Sequence, residues 1–557
     1  FSSIQPQTFA MNRFLILLAL LAAGASWGLH AQTIDDARRF SEHGATGTAR
    51  SIGMGGAFSA VGGDIASLTL NPAGLGLYRG GEFNFTPALQ LFGTRATFLG
   101  EEQAALTSNL SIAGLGLVLH FPTYQSKGLQ SVTFGFGLNQ LQQHRRRIEV
   151  EGFNPVSSVT NYLAERAAGL NSADLGRVPR GQIDANQLEA LAYQVGYAVV
   201  ERDGQTYDVR LIDNIAGSDF DYFGAYNYGQ VNQAIERFER GRTNEWDFSL
   251  GFNIDERVYL GATLGILDVN WRLESLIRET DINRLYVVNS RDTIASRQID
   301  FRENVVTSGT GVNFKLGAIV QPVDALRVGL SFETPSYIWM TDRYSAAMRV
   351  EDHVPNRFDE LESLENTYDY ALITPYRLRA GGALIIGKQG LVSADFGLVD
   401  YSLAEFRARA GNSQSTFNGL NRRIRNEFQL GYEARAGGEL RLEDYYLRAG
   451  FGYWSGTPAD NFARAADPRT GRATAFNADR YTATLGIGYR TKGFYLDVAY
   501  AHQIQNDTYT LYDLVQQPYR TDDPRALVAV QTQNRRTFSN IVFTVGLTFG
   551  ASNNPHE

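Results

Sequence analysis

Cysteine is absent from the 557 residues of this chain. Its absence excludes a disulfide framework, a thiolate metal site and a cysteine nucleophile. A sustained basic tract is also missing, and the formal net charge is −8 at pH 7. Because nucleic-acid binding needs a basic surface, we expect no nucleic acid among the partners.

Long apolar runs are missing from everything that follows the N-terminal segment. After residue 32, no stretch approaches the 18 continuous apolar residues that a transmembrane helix needs. The exception comes earlier, where the apolar run Phe14–Ala23 follows the positive residue Arg13. This combination predicts a signal peptide at 11–31 and export of the protein, with a buried helix of a cytosolic protein as the alternative. Residues 1–10 fit no export signal, and we interpret them as a start-site error or a fragment end.

Glycine and aromatic residues are abundant instead. The chain has 56 glycines, 33 phenylalanines and 28 tyrosines. Such a composition is typical of large β-structures rather than of α/β enzymes. After about residue 80, apolar and polar residues alternate with period two, which predicts strands that each have one apolar face.

The last segment, FSNIVFTVGLTFG, gives the clearest alternation. From Asn540 onward, one face carries large apolar side chains only, and on the other face Val542 is the single large apolar residue. A strand with a lipid face and a polar interior face is typical of outer-membrane barrels, although a soluble sandwich is the alternative. The terminal aromatic residue resembles the signal read by the barrel-assembly machinery. The predicted recognition face consists of Ile541, Phe543, Val545, Leu547 and Phe549.

Turn length predicts the topology. Short polar turns fall near 254–257, 321–324, 387–390, 442–445 and 490–493. Long polar segments alternate with them at 149–243, 277–307, 345–367, 408–422, 456–478 and 505–534. Outer-membrane barrels have this layout, with short periplasmic turns and long extracellular loops. The longest loop, 149–243, contains two Ala/Leu-rich stretches, so we expect a partly helical extracellular cap there.

The predicted fold is all-β. We expect a 14-stranded antiparallel transmembrane β-barrel at 81–549 and a short C-terminal tail at 550–557. The predicted strand cores are 82–92, 109–121, 131–148, 245–254, 257–275, 309–320, 326–341, 369–386, 391–406, 424–440, 445–455, 479–490, 493–504 and 537–549.

The segment Ser51–Gly76, SIGMGGAFSAVGGDIASLTLNPAGLG, lies between the predicted signal peptide and the first strand. Its glycines suggest a dinucleotide loop, but such a loop needs a βαβ setting that is missing here. A segment of small residues at this position can instead fold inside a barrel, since glycine permits close backbone approach. We therefore predict a luminal plug, the hatch, at 32–80.

The hatch sequence resembles the N-terminal hatch of the FadL/TodX family of outer-membrane hydrophobe transporters, in its hemin-receptor-like branch. Asn71, Pro72 and Ala73 match the family's Asn-Pro-Ala motif. The resemblance implies a monomeric barrel that moves long-chain fatty acids or aromatic hydrocarbons through an apolar pocket, with release by hatch movement or a lateral opening. Outer-membrane lipid and lipopolysaccharide would surround it. The candidate hatch and gating residues are Gly53, Gly55, Gly56, Asn71, Pro72, Ala73 and Gly74.

Several charged residues fall on the predicted lumen faces of their strands. Their mixed signs suggest a polar network that packs against the hatch, although any barrel lumen is polar. The candidates are Arg377, Arg379, Asp395, Glu427, Glu433, Arg435, Arg448 and Asp497.

Three other functions remain open at this point. Some relatives of the family act as accessory barrels that bind partner proteins in a secretion system, a role that the 149–243 loop could serve. A barrel enzyme would need a Ser–His or Asp–His pair at the rim, and no G-x-S-x-G elbow is present. An open porin would not carry a plug.

The family label makes haem ligation by His43 or His120 conceivable, but a lone histidine is usually structural. We expect no catalytic residue, no cofactor and no metal.

Overall fold

The computed structural model describes residues 32–550, with gaps at 45–46, 156–157, 196–197, 203–204, 210, 215–218, 220–221, 225–230, 281–285, 288–292, 295, 353–357, 410–414, 458–463, 467–472, 476–477 and 511–530. The predicted signal peptide at 11–31 and the leader at 1–10 lie outside the described residues, as does all of the 550–557 tail except Gly550.

Fourteen antiparallel strands form the wall, which confirms the predicted fold class. Every strand pairs with its neighbour in sequence, and β1 also pairs with β14, which closes the barrel. The strands are β1 Gly81–Phe98, β2 Glu101–Pro122, β3 Leu129–Gln143 with Arg146–Asn154, β4 Val231–Ile254, β5 Val258–Thr280, β6 Ser296–Val323, β7 Leu326–Glu333 with Tyr337–Asp352, β8 Asn366–Ile373 with Arg377–Ile386, β9 Gly390–Asp400 with Glu405–Ala408, β10 Leu430–Leu442, β11 Tyr445–Trp454, β12 Arg480–Thr491, β13 Phe494–Thr510 and β14 Gln531–Phe549.

In four strands, β3, β7, β8 and β9, the ladder of backbone hydrogen bonds breaks briefly. In β7 the break falls at Thr334-Pro335-Ser336, and in β8 it falls beside Pro375. Proline has no backbone N–H to donate to a ladder, so it is found where pairing is interrupted. β9 is interrupted by the 3₁₀ turn Tyr401–Leu403.

One predicted strand begins too early. The range 424–440 was expected to be strand throughout, but the structure has helix α7 at Ser415–Glu427 and β10 starts only at Leu430. Phe417, Asn421, Ile424 and Phe428 are buried at helical spacing, and this stripe outweighs the short alternation around Phe428. The Asn421 side chain exchanges two 2.9 Å hydrogen bonds with the backbone of Phe406 and docks α7 inside the barrel.

The remaining helices lie at the two ends of the lumen. The N-terminal segment contains α1 Ile34–Ser41, α2 Ala49–Gly53, α3 Ser67–Leu70 and a 3₁₀ turn at Pro72–Leu77. The long loop after β3 contains α4 Val159–Ala167, α5 Ser172–Arg177 and α6 Leu188–Gln194. Within the part of the chain that is described, none of the helices is long and apolar enough to cross a membrane.

Helices α4 to α6 pack over one end of the barrel. Leu163 and Leu191 are fully buried and share an apolar cluster with Ile235 of β4 and Phe301 of β6. Within this cap, Arg166 and Glu189 form a 3.2 Å ion pair. Burial raises the pKa of Glu189, and the neighbouring Arg166 opposes that rise. The cap is therefore a packed layer on the long-loop side of the barrel.

Candidate functional site

The hatch is the N-terminal segment 32–80. Its residues 49–77 fill the lumen on the short-turn side, while α1 reaches into the long-loop side. The hatch backbone is held by wall side chains at many points. The Asp395 carboxylate accepts from the N–H groups of Phe58 and Ser59, both at 2.8 Å. Thr484 donates to the carbonyl of Gly53 at 3.0 Å. The hatch is thus hydrogen-bonded to the wall rather than resting loosely in it.

A ring of glycines seats the hatch against the wall. Ten strands each present at least one glycine whose added Cβ would meet a hatch atom. In the tightest cases that Cβ would lie 2.0 Å from Asn71 Oδ1 at Gly317, 2.1 Å from Met54 O at Gly437 and 2.2 Å from Gly55 N at Gly450. At Gly437 and Gly450 no side chain fits, so hatch and wall pack backbone to backbone there, whereas Gly116 and Gly135 make room for the side chains of Ile65 and Leu68. The glycine ring consists of Gly116, Gly135, Gly251, Gly261, Gly317, Gly329, Gly381, Gly437, Gly450 and Gly486.

Asn71 joins three parts of this assembly. Its side-chain oxygen accepts from Ala73 N at 3.2 Å and caps the 3₁₀ turn, where Pro72 occupies the first position. Its amide donates to Ser59 O at 2.6 Å and lies 3.4 Å from Ala318 O of β6. The Asn-Pro-Ala motif is therefore the place where two hatch loops and the wall meet.

The predicted hatch glycines occupy turns at the wall. Gly53 ends α2 against Gly486, and Gly55 and Gly56 have positive φ values of 67° and 73°. Two successive left-handed residues turn the chain sharply, which glycine allows without strain. At Gly74, an added Cβ would lie 2.3 Å from Ser67 Oγ. These positions shape the hatch, and their part in gating stays a prediction.

Four of the predicted luminal charges form one buried cluster. Glu433 accepts from Arg377 at 3.3 Å and from Arg435, and Arg379 lies 3.7 Å from Glu333 of β7. Arg377 also donates to the carbonyl of Ser41 at the end of α1. The cluster therefore ties β7, β8 and β10 to the hatch.

Arg448 and Asp497 belong to a second buried cluster. Arg448 donates to Asp497 at 2.6 Å and to Glu439 at 2.7 Å. Glu439 also pairs with Arg50 of α2 at 2.9 Å. Buried charges of this kind are tolerated only when they are paired and hydrogen-bonded.

Glu427 does not face the lumen as part of this network. It is the last residue of α7, and its carboxylate pairs with Arg423 one turn earlier at 2.7 Å. The prediction was wrong because it treated residue 427 as strand, where alternation would have turned it inward.

A third ionic group was missed by the sequence reasoning. Lys315 of β6 is 2 % exposed, and its ammonium contacts Glu245 and lies 3.0 Å from Asp247 of β4. Asp247 also accepts from Thr69 of α3 at 2.9 Å. The available signal was that charged residues recur at period two on the inner faces of these strands. A single sequence does not show, however, that side chains of β4 and β6 meet inside the barrel.

On the long-loop side the lumen is apolar. Along β5, Leu267, Val269, Trp271 and Leu273 point inward and are buried, while the residues between them are polar and exposed. This cluster continues through Ile338, Met340, Tyr370 and Phe406. Barrel lumens are usually polar, so an inward apolar surface of this size is unusual.

Helices α1 and α7 occupy this apolar lumen. Ala37 and Phe40 of α1 pack in it, as do Phe417 and Ile424 of α7. Arg39 of α1 stacks over the Trp271 ring at 4.0 Å. The apolar surface is therefore covered by protein segments in this conformation.

The wall between β2 and β3 is paired over only part of its height. Pairing runs from Pro122↔Ser131 to Gly114↔Asn139, and no described pair joins the two strands beyond it. There the second part of β3 lies against the β1–β2 turn, with Gly152 next to Phe98 and Leu99. A cavity of about 50 Å³ opens on the inner side and is lined largely by amides, namely Gln90, Gln140, Gln142, Gln143, Gln503 and Gln505.

The outer face of the wall is apolar. Leu260 of β5, Phe314 and Leu316 of β6 and Phe396 of β9 are all exposed on it. On β14, Phe543, Val545, Leu547 and Phe549 are exposed and Ile541 is half-buried, while Asn540 and Thr544 face inward. A closed barrel has no free strand edge and can hold such a surface in lipid, and bacterial barrels of one chain have an even number of strands.

The chain is a transmembrane β-barrel of the bacterial outer membrane. Recognition of its last strand by an assembly machinery, and its state as a monomer, stay predictions.

Comparison with known proteins finds similarity in three-dimensional structure alone. No protein-family model matches the sequence. No curated protein matches it either. Its structural neighbours include a FadL homologue of Pseudomonas aeruginosa, at 13 % identity and a TM-score of 0.49, covering 91 % of this chain and 99 % of that one.

Two toluene transporters are also among the neighbours. TodX of Pseudomonas putida has 12 % identity and a TM-score of 0.49, and TbuX of Ralstonia pickettii has 14 % identity and a TM-score of 0.45. Each covers 91 % of this outer-membrane barrel and 99 % of its own chain. At such scores the likeness describes shape only, and the fold rests on the strand pairing described above.

Proposed function

We propose that this barrel lets hydrophobic small molecules, such as long-chain fatty acids or aromatic hydrocarbons, diffuse across the outer membrane. The apolar lumen around Trp271 and Phe406 is the observation that carries the proposal. A water-filled pore offers a hydrophobe no favourable surface, whereas an apolar lumen removes the cost of keeping it in water. The resemblance of the hatch to the FadL/TodX hatch supports the same reading.

Passage requires the hatch to move. Phe40 and the rest of α1 must leave the apolar lumen before a ligand can occupy it. Besides this apolar packing, polar contacts hold α1 to the wall. Gln32 donates to Asp342 at 2.6 Å, and Arg39 lies 3.6 Å from Glu239. We propose that a ligand displaces α1 first, and that the hatch at the glycine ring moves afterwards. Release follows either past the hatch or through the partly paired wall between β2 and β3.

Transport rather than catalysis fits two of the four histidines that the structure describes. His144 lies in the lumen, bonded to Thr243 Oγ1 at 2.9 Å and edge-on to Phe40. His502 lies 2.9 Å from Ser539 and on the same face of β13 as Tyr500. The Tyr500 side chain is exposed on the wall. A Ser–His pair becomes a nucleophile only with an orienting group and an oxyanion site, and this pair has an exposed tyrosine as its other partner.

A reversible crosslink tests whether the hatch must move. Ala49 of the hatch donates its N–H to Thr544 Oγ1 of β14 at 2.8 Å. Ala49→Cys with Thr544→Cys places two thiols at this contact, where oxidation or a short reagent with two thiosulfonate groups joins them by disulfides, and the natural chain has no cysteine to compete. We expect uptake of a radiolabelled fatty acid or of toluene by cells or proteoliposomes to fall at least tenfold when the two cysteines are joined and to recover on reduction.

Each single cysteine variant serves as the control, because it should transport equally in both redox states. Unchanged uptake with the disulfide formed would exclude movement of this part of the hatch. Absence of uptake for every hydrophobe tested, together with a protein that co-purifies in stoichiometric amount, would favour the accessory-barrel function.

A further inference from the structure

A small cavity lies between the hatch and the wall, apart from the apolar lumen. Its volume is about 20 Å³, which is room for one particle the size of a water molecule. The Gly55–Gly56 turn forms one side of it, and the side chains of β8, β10 and β11 form another. The polar side chains that line it are His43, Thr69, Arg379, Arg435 and Trp454.

Three of these residues bring N–H groups that have no hydrogen-bond acceptor among the described residues. They are Arg379 Nε, Arg435 Nε and Trp454 Nε1. The three residues are 5 %, 8 % and 5 % exposed, respectively. A buried donor without an acceptor costs about 1–3 kcal/mol, and a charged donor costs more. Three such donors around one small cavity therefore call for a shared acceptor.

The charge around the cavity is positive. Within the part of the chain that the structure describes, Arg377, Arg379 and Arg435 are joined by salt bridges to two carboxylates, Glu333 and Glu433. A fourth guanidinium, that of Arg480, stacks over the Trp454 ring at 4.3 Å and donates to His43 O at 2.9 Å. Asp395 Oδ2 binds the backbone of Phe58 and Ser59, and its Oδ1 is buried without a hydrogen-bond donor among the described residues. An acceptor with negative charge is favoured here over a neutral one.

We propose that this cavity binds one halide-sized anion, with chloride as the physiological ligand. Arg379, Arg435 and Trp454 donate to it, because a spherical acceptor with no donor of its own can accept from all three N–H groups. The anion ties the hatch to the wall, because Arg435 also donates to Gly56 O at 3.3 Å and Arg480 holds His43. Chloride thus acts as a structural ligand of the closed hatch, whether or not the barrel transports hydrophobes.

Bromide identifies the ligand directly. Crystals of the full chain soaked in bromide should give an anomalous peak within about 3.5 Å of Arg379, Arg435 and Trp454. Thermal unfolding in detergent should occur at a higher temperature in chloride or bromide than in gluconate at the same ionic strength, since gluconate is too large for the cavity.

Trp454→Phe keeps an aromatic ring and removes the pyrrole part of the indole together with its N–H. It should raise the midpoint concentration of chloride stabilisation about tenfold, because one hydrogen bond to a charged group is lost. Trp339→Phe on the outer face is the matched control and should leave the midpoint unchanged. Arg435→Gln should abolish the bromide peak.

Three results would overturn the proposal. One is electron density at the site that gives no anomalous signal, together with equal thermal stability of the protein in chloride and in gluconate. This result assigns a water molecule. Another is an elongated density that continues into the lumen, which assigns the carboxylate of a bound hydrophobe. The third is an equal chloride midpoint for Trp454→Phe and Trp339→Phe.

Discussion

Replacing Gly437 and Gly450 by alanine is expected to unseat the hatch and open the barrel to ions. These two glycines face each other across β10 and β11. The new methyl groups would lie 2.1 Å from Met54 O and 2.2 Å from Gly55 N, which are backbone atoms and cannot rotate away. Overpacking of this kind costs about 1–3 kcal/mol for each residue. Together the two changes should raise the unseated population by roughly 30-fold or more.

Planar-bilayer recordings measure the opening, and limited proteolysis of the hatch gives an independent readout. The matched control is Gly438→Ala, because that side chain would point to the other face, where the nearest atom is 3.6 Å away. Both proteins should show the same heat-dependent shift on gels as the parent if the barrel itself is folded. Equal conductance and protease resistance in the double variant and the control would refute backbone-to-backbone seating of the hatch.

Lys315→Met is expected to lower the free energy of unfolding by about 3–5 kcal/mol. The ammonium is the cation between Glu245 and Asp247, and all three side chains are buried. Methionine keeps most of the volume and removes the charge, so two carboxylates are left facing each other without a counter-ion. The loss should exceed that of an exposed pair, for which about 0–1 kcal/mol is usual.

Urea unfolding of the barrel in lipid vesicles measures the loss. Lys388→Met, in the short turn after β8, removes a lysine charge at an exposed site and should change stability little. Adding Glu245→Gln and Asp247→Asn to Lys315→Met should recover most of the stability, since the remaining groups are neutral and hydrogen-bonded. No recovery in the triple variant would mean that shape, rather than charge, holds this site together.

Alternation at period two was sufficient to predict the strands. Each predicted core matches one wall strand, because neighbouring residues of a strand must point to opposite faces. The same rule failed where a helical stripe competed, at Phe417, Asn421, Ile424 and Phe428. There the spacing of four, three and four residues predicts a helix, and it was visible in the sequence.

Alternation says nothing about which face is the inner one. In the membrane part of β5, Leu260 points outward to lipid, while further along Trp271 points inward to the apolar lumen. The polarity of the two faces exchanges along one strand while the period stays the same. The apolar lumen was therefore beyond sequence reasoning, because it depends on where the strand leaves the membrane.

By itself, the sequence determined that the chain has fourteen alternating strands with a small-residue segment before them. These properties depend on neighbours along the chain, such as the pleat of a strand and the turn at Gly55 and Gly56. Tertiary structure alone decided which glycines form the ring around the hatch, that Lys315 lies between Glu245 and Asp247, and that Arg379, Arg435 and Trp454 share a cavity. Those arrangements join residues from strands that are distant in sequence, and only closure of the barrel around the hatch brings them within reach of one another.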